Sequence, residues 1–171
     1  TMNNTMRVVL SLAMVASLAA CTKKAEVIET PPQPEKPADV VEPMKDDGKY
    51  DASDLDTDSC LRQRVVYFDF DKAEIRAEAQ AILACHGKYL VDRPSAAMTL
   101  EGHADERGSR EYNLGLGERR GNAVSSALQA NGGQAAQLNV VSYGEERPTC
   151  SDSNDECWGK NRRVEIVYTA K

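Results

Sequence analysis

Met98-Thr-Leu-Glu-Gly-His-Ala-Asp-Glu-Arg-Gly-Ser-Arg-Glu-Tyr-Asn-Leu-Gly-Leu-Gly-Glu-Arg-Arg120 changes character twice. Met98 to Gly102 reads as a strand, and Gly102 and Gly108 then bracket a short excursion whose glycines let backbone come close to a ligand. Ser109 suits a helix N-cap, with Glu111 in the first turn where a negative side chain meets the positive helix end. Leu116, Ala123, Val124, Ala127 and Leu128 supply the apolar face, and Asn131-Gly132-Gly133 stops the helix. Asn113, Gly117, Arg120 and Val124 share one stripe at helical spacing, with Gly117 leaving room between the Asn and Arg heads. Arg119 points about 100 degrees away. The loop thus offers a carboxylate, Asp105, and the helix a planar fork, Arg120, which suits a carboxylate through two parallel hydrogen bonds. A ligand that matches both carries an ammonium and a carboxylate.

The flanking sequence supplies the rest of a domain. Arg64 to Phe70 alternates and is rich in Val, Tyr and Phe, as a strand should be. Ile75, Ala79, Ile82, Leu83, His86 and Leu90 form a helical stripe that closes near Pro94, because the residue before proline is pushed out of the helical region. Leu138 to Tyr143 reads as a third strand, and Val164, Ile166 and Tyr168 alternate as a fourth. The order βαβαββ predicts an α+β domain with helices layered on one mixed sheet. Strands joined through helices run parallel, and the last strand, arriving by a loop, is free to add antiparallel. One domain is expected over residues 60–171.

Upstream the chain changes composition. Residues 21–59 carry Pro31, Pro32, Pro34, Pro37 and Pro43, few large apolar side chains and an acidic excess that accounts for the net charge of −6. Such a segment cannot bury a core. It is expected to be a disordered, solvated tether that reaches on the order of 100 Å if straight, at about 3.1 Å per residue. Before it, Arg7 precedes the uncharged run Val8 to Leu18 and then Leu18-Ala19-Ala20-Cys21. The run is too short to span a bilayer and fits a secretory signal peptide over residues 1–20. Its small-residue site ending on cysteine resembles a bacterial lipoprotein signal, which implies that Cys21 becomes the lipid-modified first residue. Each buried methylene contributes about 0.8 kcal/mol, so several acyl chains hold permanently. Thr22 stands where Asp would suggest inner-membrane retention, so the expected location is the outer membrane, facing the periplasm.

Export permits disulfides. The four remaining cysteines allow three pairings. Cys150 and Cys157 bracket a polar loop and are expected to pair, leaving Cys60 for Cys85. No Cys-x-x-Cys spacing exists and His86 has no second close ligand pair, so no metal is expected.

Arg120 lies about 16 Å along an ideal helix from Ser109, so it meets Asp105 only if the loop folds back. The pattern is equally compatible with an ion pair or cap for Asp105 and a structural Arg120. Gly102 to Ser109, Glu111-Tyr-Asn113, Leu116-Gly-Glu-Arg-Arg120, Val141-Ser-Tyr-Gly144 and Asn161-Arg-Arg-Val164 together resemble the OmpA-like domain family, over roughly Val65 to Thr169. With Val66-Tyr-Phe-Asp-Phe-Asp-Lys72 and the lipoprotein leader, the chain resembles the lipid-anchored members of that family. The resemblance implies non-covalent binding to the diaminopimelate of the peptidoglycan stem peptide, with Asp105 for the ammonium and Arg120 for a carboxylate. Phe70, Asp71 and Asn113 are implied contributors, although Phe70 also fits a core position. The resemblance further implies the periplasmic TolB protein as partner, and a role tying the outer membrane to the wall during division. A wall-binding lipoprotein outside that system is the alternative.

Ala104, Gly121 and the cysteine-flanked loop depart from the family pattern. Gly121 inside a helix costs up to about 1 kcal/mol relative to Ala, which puts helix stability in question. Arg162 and Arg163 read as loop or sheet-edge supports before wall contacts. His103, Asp105 and Glu106 invite an acid–base assignment, as in a wall hydrolase, but no nucleophile motif accompanies them. No catalysis, cofactor or nucleic acid is expected.

Overall fold

The computed structural model describes residues 48–171. The expected leader over 1–20, the lipidation site Cys21 and most of the tether lie outside the described residues. The elements run α1 (Asp54–Thr57), β1 (Val65–Tyr67), α2 (Ala77–Asp92), β2 (Ala97–His103), α3 (Arg110–Ala130), a 3₁₀ turn (Ala135–Gln137), β3 (Leu138–Gly144), α4 (Asp155–Asn161) and β4 (Arg163–Ala170). Helix and strand periods are read correctly at the long elements. The short α1, the 3₁₀ turn and α4 are additions.

Local chemistry explains the boundaries. The Ser109 side chain accepts from the Tyr112 N–H at 3.2 Å and caps α3, and Gly132 follows its end with φ +100°. Helix α2 ends at Asp92, with Arg93 before Pro94 already non-helical at φ −124°, ψ 78°. Ile75 lies ahead of the helix and packs on the core from outside it. Strand β1 is shorter than expected: Phe68 remains core at 1 % exposure while Phe70 is 56 % exposed. Asp71 turns the chain with φ +58°.

The sheet order is β1-β4-β2-β3. Strands β2 and β3 are parallel, and β4 is antiparallel to both β1 and β2. The last strand therefore adds antiparallel, but in the middle of the sheet. Strands β1 and β2 run the same way without touching, and the slot between them, two interstrand spacings of about 4.8 Å wide, receives β4. Val164 and Ile166 of that strand are buried with Leu83, Leu90, Leu100, Val124 and Leu128 in one core beneath α2 and α3.

Helix α3 lies unusually close to the sheet. A Cβ on Gly102 would stand 2.0 Å from the Gly117 carbonyl oxygen, and one on Gly121 would stand 2.6 Å from Val140 Cγ1. Gly117 and Gly121 thus serve helix–sheet contact. This corrects the sequence-based view of Gly117 as a spacer between polar heads and of Gly121 as a weakness.

Two disulfides join Cys60 to Cys85 and Cys150 to Cys157. The domain also begins earlier than residue 60. Leu55 is fully buried, the Tyr50 N–H donates to Asp92 Oδ2 at 2.9 Å, and the Tyr50 ring lies 6.2 Å from that of Tyr89. Residues 48–59, expected to be tether, are folded because Leu55 and Tyr50 give them apolar surface to bury. Among the described residues no helix is long and apolar enough to cross a membrane.

Candidate functional site

The site lies where β2, the turn after β1 and the first half of α3 meet. Strand β2 shifts register against β3 between Gly102 and His103, and such an irregularity re-aims the chain that follows. The Ala104 N–H donates to the Gly144 carbonyl at 2.8 Å, which pins the next residue, Asp105, at 4 % exposure.

Four donors converge on that carboxylate. Oδ1 accepts from the Arg107 N–H at 3.1 Å and Arg107 Nε at 3.0 Å, while Oδ2 accepts from Arg107 Nη2 at 2.7 Å and Arg162 Nη1 at 3.2 Å. Burial pushes the Asp105 carboxyl up, but the bonds from Arg107 and Arg162 outweigh it and hold the group below the ordinary carboxylate value. Arg162 also donates from Nε to the Phe68 carbonyl at 3.1 Å, so it braces the loop. The Arg107 guanidinium is sandwiched, 4.0 Å from the Phe70 ring centroid and 4.1 Å from that of Trp158. Trp158 is delivered by α4, and its Nε1–H donates to Glu106 at 2.9 Å.

Arg120 is fully buried. Its Nε donates to the Lys72 carbonyl at 2.8 Å, Nη1 to that of His103 at 2.7 Å and Nη2 to that of Asp69 at 3.1 Å. It therefore ties the turn after β1 to the end of β2. A guanidinium has five N–H donors, so two are left after these three bonds. Burial lowers its pKa to about 10, with the Asp105 charge opposing; it stays cationic at neutral pH. Both bland possibilities for this pair hold: Asp105 is ion-paired and Arg120 is structural.

The loop nevertheless folds back, and the two residues border one cavity. Its volume is about 260 Å³, and Phe70, Asp71, Asp105, Asn113 and Arg120 all line it. The five residues singled out in the sequence are thus gathered in one place. Arg107, Gly108, Tyr112 and Leu116 complete the lining. The Tyr112 hydroxyl donates to Asp71, and Asn113 Nδ2 donates to Glu145. Phe70 belongs to the cavity wall rather than to the core. The ring of Phe70, the fork of Arg107, Trp158 and the Arg162 brace form a layer that sequence spacing did not reveal. The position of Arg107 two residues from Asp105 in a glycine-bracketed loop was the available signal for one of them.

His103 faces another way. It is 2 % exposed with neither ring nitrogen hydrogen-bonded, and burial, then the Arg163 charge, holds its pKa at about 4. A buried imidazole without partners cannot relay protons for Asp105 or Glu106. Arg163 is bonded to Glu165 at 2.7 Å and to the Arg147 carbonyl at 3.3 Å, as a sheet support. Among the described residues no cluster of His, Cys, Asp and Glu is arranged to hold a metal ion.

Residues 67–162 match the model of the OmpA family. The chain is 42 % identical over 121 residues to the peptidoglycan-associated lipoprotein of Pasteurella multocida, covering 71 % of this chain and 78 % of that protein. The peptidoglycan-associated lipoprotein of Haemophilus influenzae is likewise 42 % identical, with 76 % of its length covered. Among solved structures, the peptidoglycan-associated lipoprotein of Burkholderia pseudomallei is similar at a TM-score of 0.66 and 41 % identity, over 67 % of this chain and 98 % of that one. The C-terminal domain of Helicobacter pylori MotB shares the fold at a TM-score of 0.57 and 21 % identity, over 62 % of this chain and 83 % of that one.

Proposed function

The chain belongs to the OmpA family, closely related to its peptidoglycan-associated lipoproteins, and from that premise we propose that it is a binding module that grips peptidoglycan non-covalently. The ligand is the diaminopimelate end of the stem peptide, whose ammonium is received at Asp105 and whose carboxylate is received by the remaining N–H donors of Arg120. Phe70 and Asn113 shape the wall of the pocket, and Asp71 adds a second acceptor for the ammonium.

One observation carries this assignment: a buried carboxylate and a buried guanidinium border the same cavity of about 260 Å³. Pockets of this size suit a single amino-acid side chain rather than a drug-sized molecule. Retention on purified sacculi tests it. The full chain should co-sediment with wall from which bound protein has been stripped, and a free stem peptide containing diaminopimelate should release it. Release of soluble wall fragments over time would instead mean hydrolysis and would sink the binding role.

The remaining parts of the proposal follow the family. Cys21 carries lipid in the outer membrane, the acidic proline-rich segment reaches across the periplasm, and TolB competes for the wall-binding surface in the machinery that draws the outer membrane inward at division. Pull-down of TolB with and without stem peptide decides this part: simultaneous binding of both would refute competition.

A further inference from the structure

A carboxylate offers about four lone-pair sites, and Asp105 has four donors on it, two to each oxygen. An incoming ammonium therefore has no vacant position there. It enters only by displacing a donor, and the donors differ in freedom. The Arg107 N–H is backbone. Arg162 is 17 % exposed and is held a second time by the Phe68 carbonyl. The Arg107 side chain is 32 % exposed and lies in a slot between two rings whose flat faces allow a planar cation to slide.

We propose that Arg107 is a specificity-determining residue of the site: it occupies Asp105 in the free protein and yields it only to a ligand that carries a carboxylate beside its ammonium. The inference rests on the diaminopimelate assignment above. Charge conservation in the pocket is the reason. In the lining the carboxylates of Asp71 and Asp105 face the guanidiniums of Arg107 and Arg120, and Arg162 brings a third cation to Asp105, so no spare negative charge awaits another cation. A plain amine, such as a lysine side chain, evicts the Arg107 head and adds an unmatched positive charge beside it. A zwitterionic end adds none, because its carboxylate, received by Arg120 on one oxygen, takes the freed Arg107 edge on the other while its ammonium takes the vacated oxygen of Asp105. The Phe70–Trp158 slot keeps Arg107 within reach during the exchange, so the fork turns from one carboxylate to another. Since Arg107 is one-third exposed, its bond to Asp105 is weakened by solvent screening, which permits such an exchange.

Calorimetric titration of the full chain with a stem peptide containing diaminopimelate, and with its lysine counterpart, tests the proposal. The parent should prefer the diaminopimelate peptide. Arg107→Gln should reduce that preference about tenfold, the equivalent of one charge-assisted hydrogen bond, by weakening the first peptide and not the second. Arg107→Lys keeps the cation but loses the planar fork, so the preference should fall by about threefold, less than in Arg107→Gln. A preference unchanged in Arg107→Gln overturns the role of Arg107 and leaves the site assignment standing. A fall in Arg107→Lys as deep as that in Arg107→Gln overturns exchange of charge as the cause. A parent that binds neither peptide overturns the site assignment and the inference together.

Discussion

Replacing Arg120 by Ala should unfold the domain earlier as well as weaken wall binding. The side chain is fully buried and donates to three backbone carbonyls, those of His103, Lys72 and Asp69, at 2.7, 2.8 and 3.1 Å. The His103 carbonyl is enclosed, so its loss of a partner costs about 1–3 kcal/mol. Asp69 and Lys72 are exposed residues, and water replaces much of what they lose. Removing a buried cation recovers part of its desolvation, the effect that pulls its pKa to about 10. The balance is a loss of about 1–3 kcal/mol, and at about 4 °C per kcal/mol for a domain of this size the melting temperature should fall by roughly 4–12 °C. Binding to sacculi, measured far enough below both melting points that the variant is folded, should weaken at least about thirtyfold, because truncating one side of a desolvated charge contact costs about 2–5 kcal/mol. Thermal melts by circular dichroism and co-sedimentation give the two numbers. A melt within about 2 °C of the parent would refute the structural role. Undiminished sedimentation would refute the binding role, whatever the melt.

Gly102→Ala drives a Cβ to within 2.0 Å of the Gly117 carbonyl oxygen, backbone that cannot step aside, so overpacking should cost about 3 kcal/mol. Gly115→Ala meets only the mobile Arg119 Nη1 at 3.3 Å and should stabilise α3 by up to about 1 kcal/mol; equal melts for the two would contradict the close helix–sheet contact. Stability in urea should decline as pH falls from the ordinary histidine value of 6.5 toward about 4, because burial keeps His103 and His86 neutral in the fold while the unfolded chain takes up protons. His103→Leu should flatten that slope, and a midpoint that rises on acidification would contradict the assignment. Asp105 acts with the same sign in a lower window: its contribution is complete above the ordinary value of 3.8 and is lost as pH falls below it. Trp158→Ala removes one face of the Arg107 sandwich, 4.1 Å away, and should weaken peptide binding about two- to fivefold with little change in melting, since a single exposed cation–π contact is worth about 0.5–1 kcal/mol.

His86 illustrates what a local pattern conveys and what it omits. Its place on the apolar stripe of α2 is legible from spacing, and it is fully buried. That its Nε2 donates to the Gln63 carbonyl at 3.0 Å, leaving Nδ1 to accept from the Tyr168 hydroxyl at 2.7 Å, depends on segments far apart in the chain. The same division applies to β4. Alternation of Val164 and Ile166 with polar residues marks a strand, but its position between β1 and β2 follows from the slot those strands leave. Likewise α1 and α4 are too short to show a period; one exists because Leu55 finds the core, the other because Asn154 caps it, its side chain accepting from the Cys157 N–H.

By itself the sequence determined the long helices and strands and the capping of α3 by Ser109, because these depend on periodicity and on residue chemistry within a few positions; it named the five pocket residues only through the family resemblance, since spacing left the meeting of Asp105 and Arg120 open. Only the tertiary structure decided the strand order, the need for glycine at 102, 117 and 121, and the occupancy of Asp105 by Arg107 and Arg162. Each of those depends on distances between atoms remote in the chain. Hydrogen-bond saturation of a carboxylate is a property of the assembled loop, and no spacing of residues along the chain encodes it.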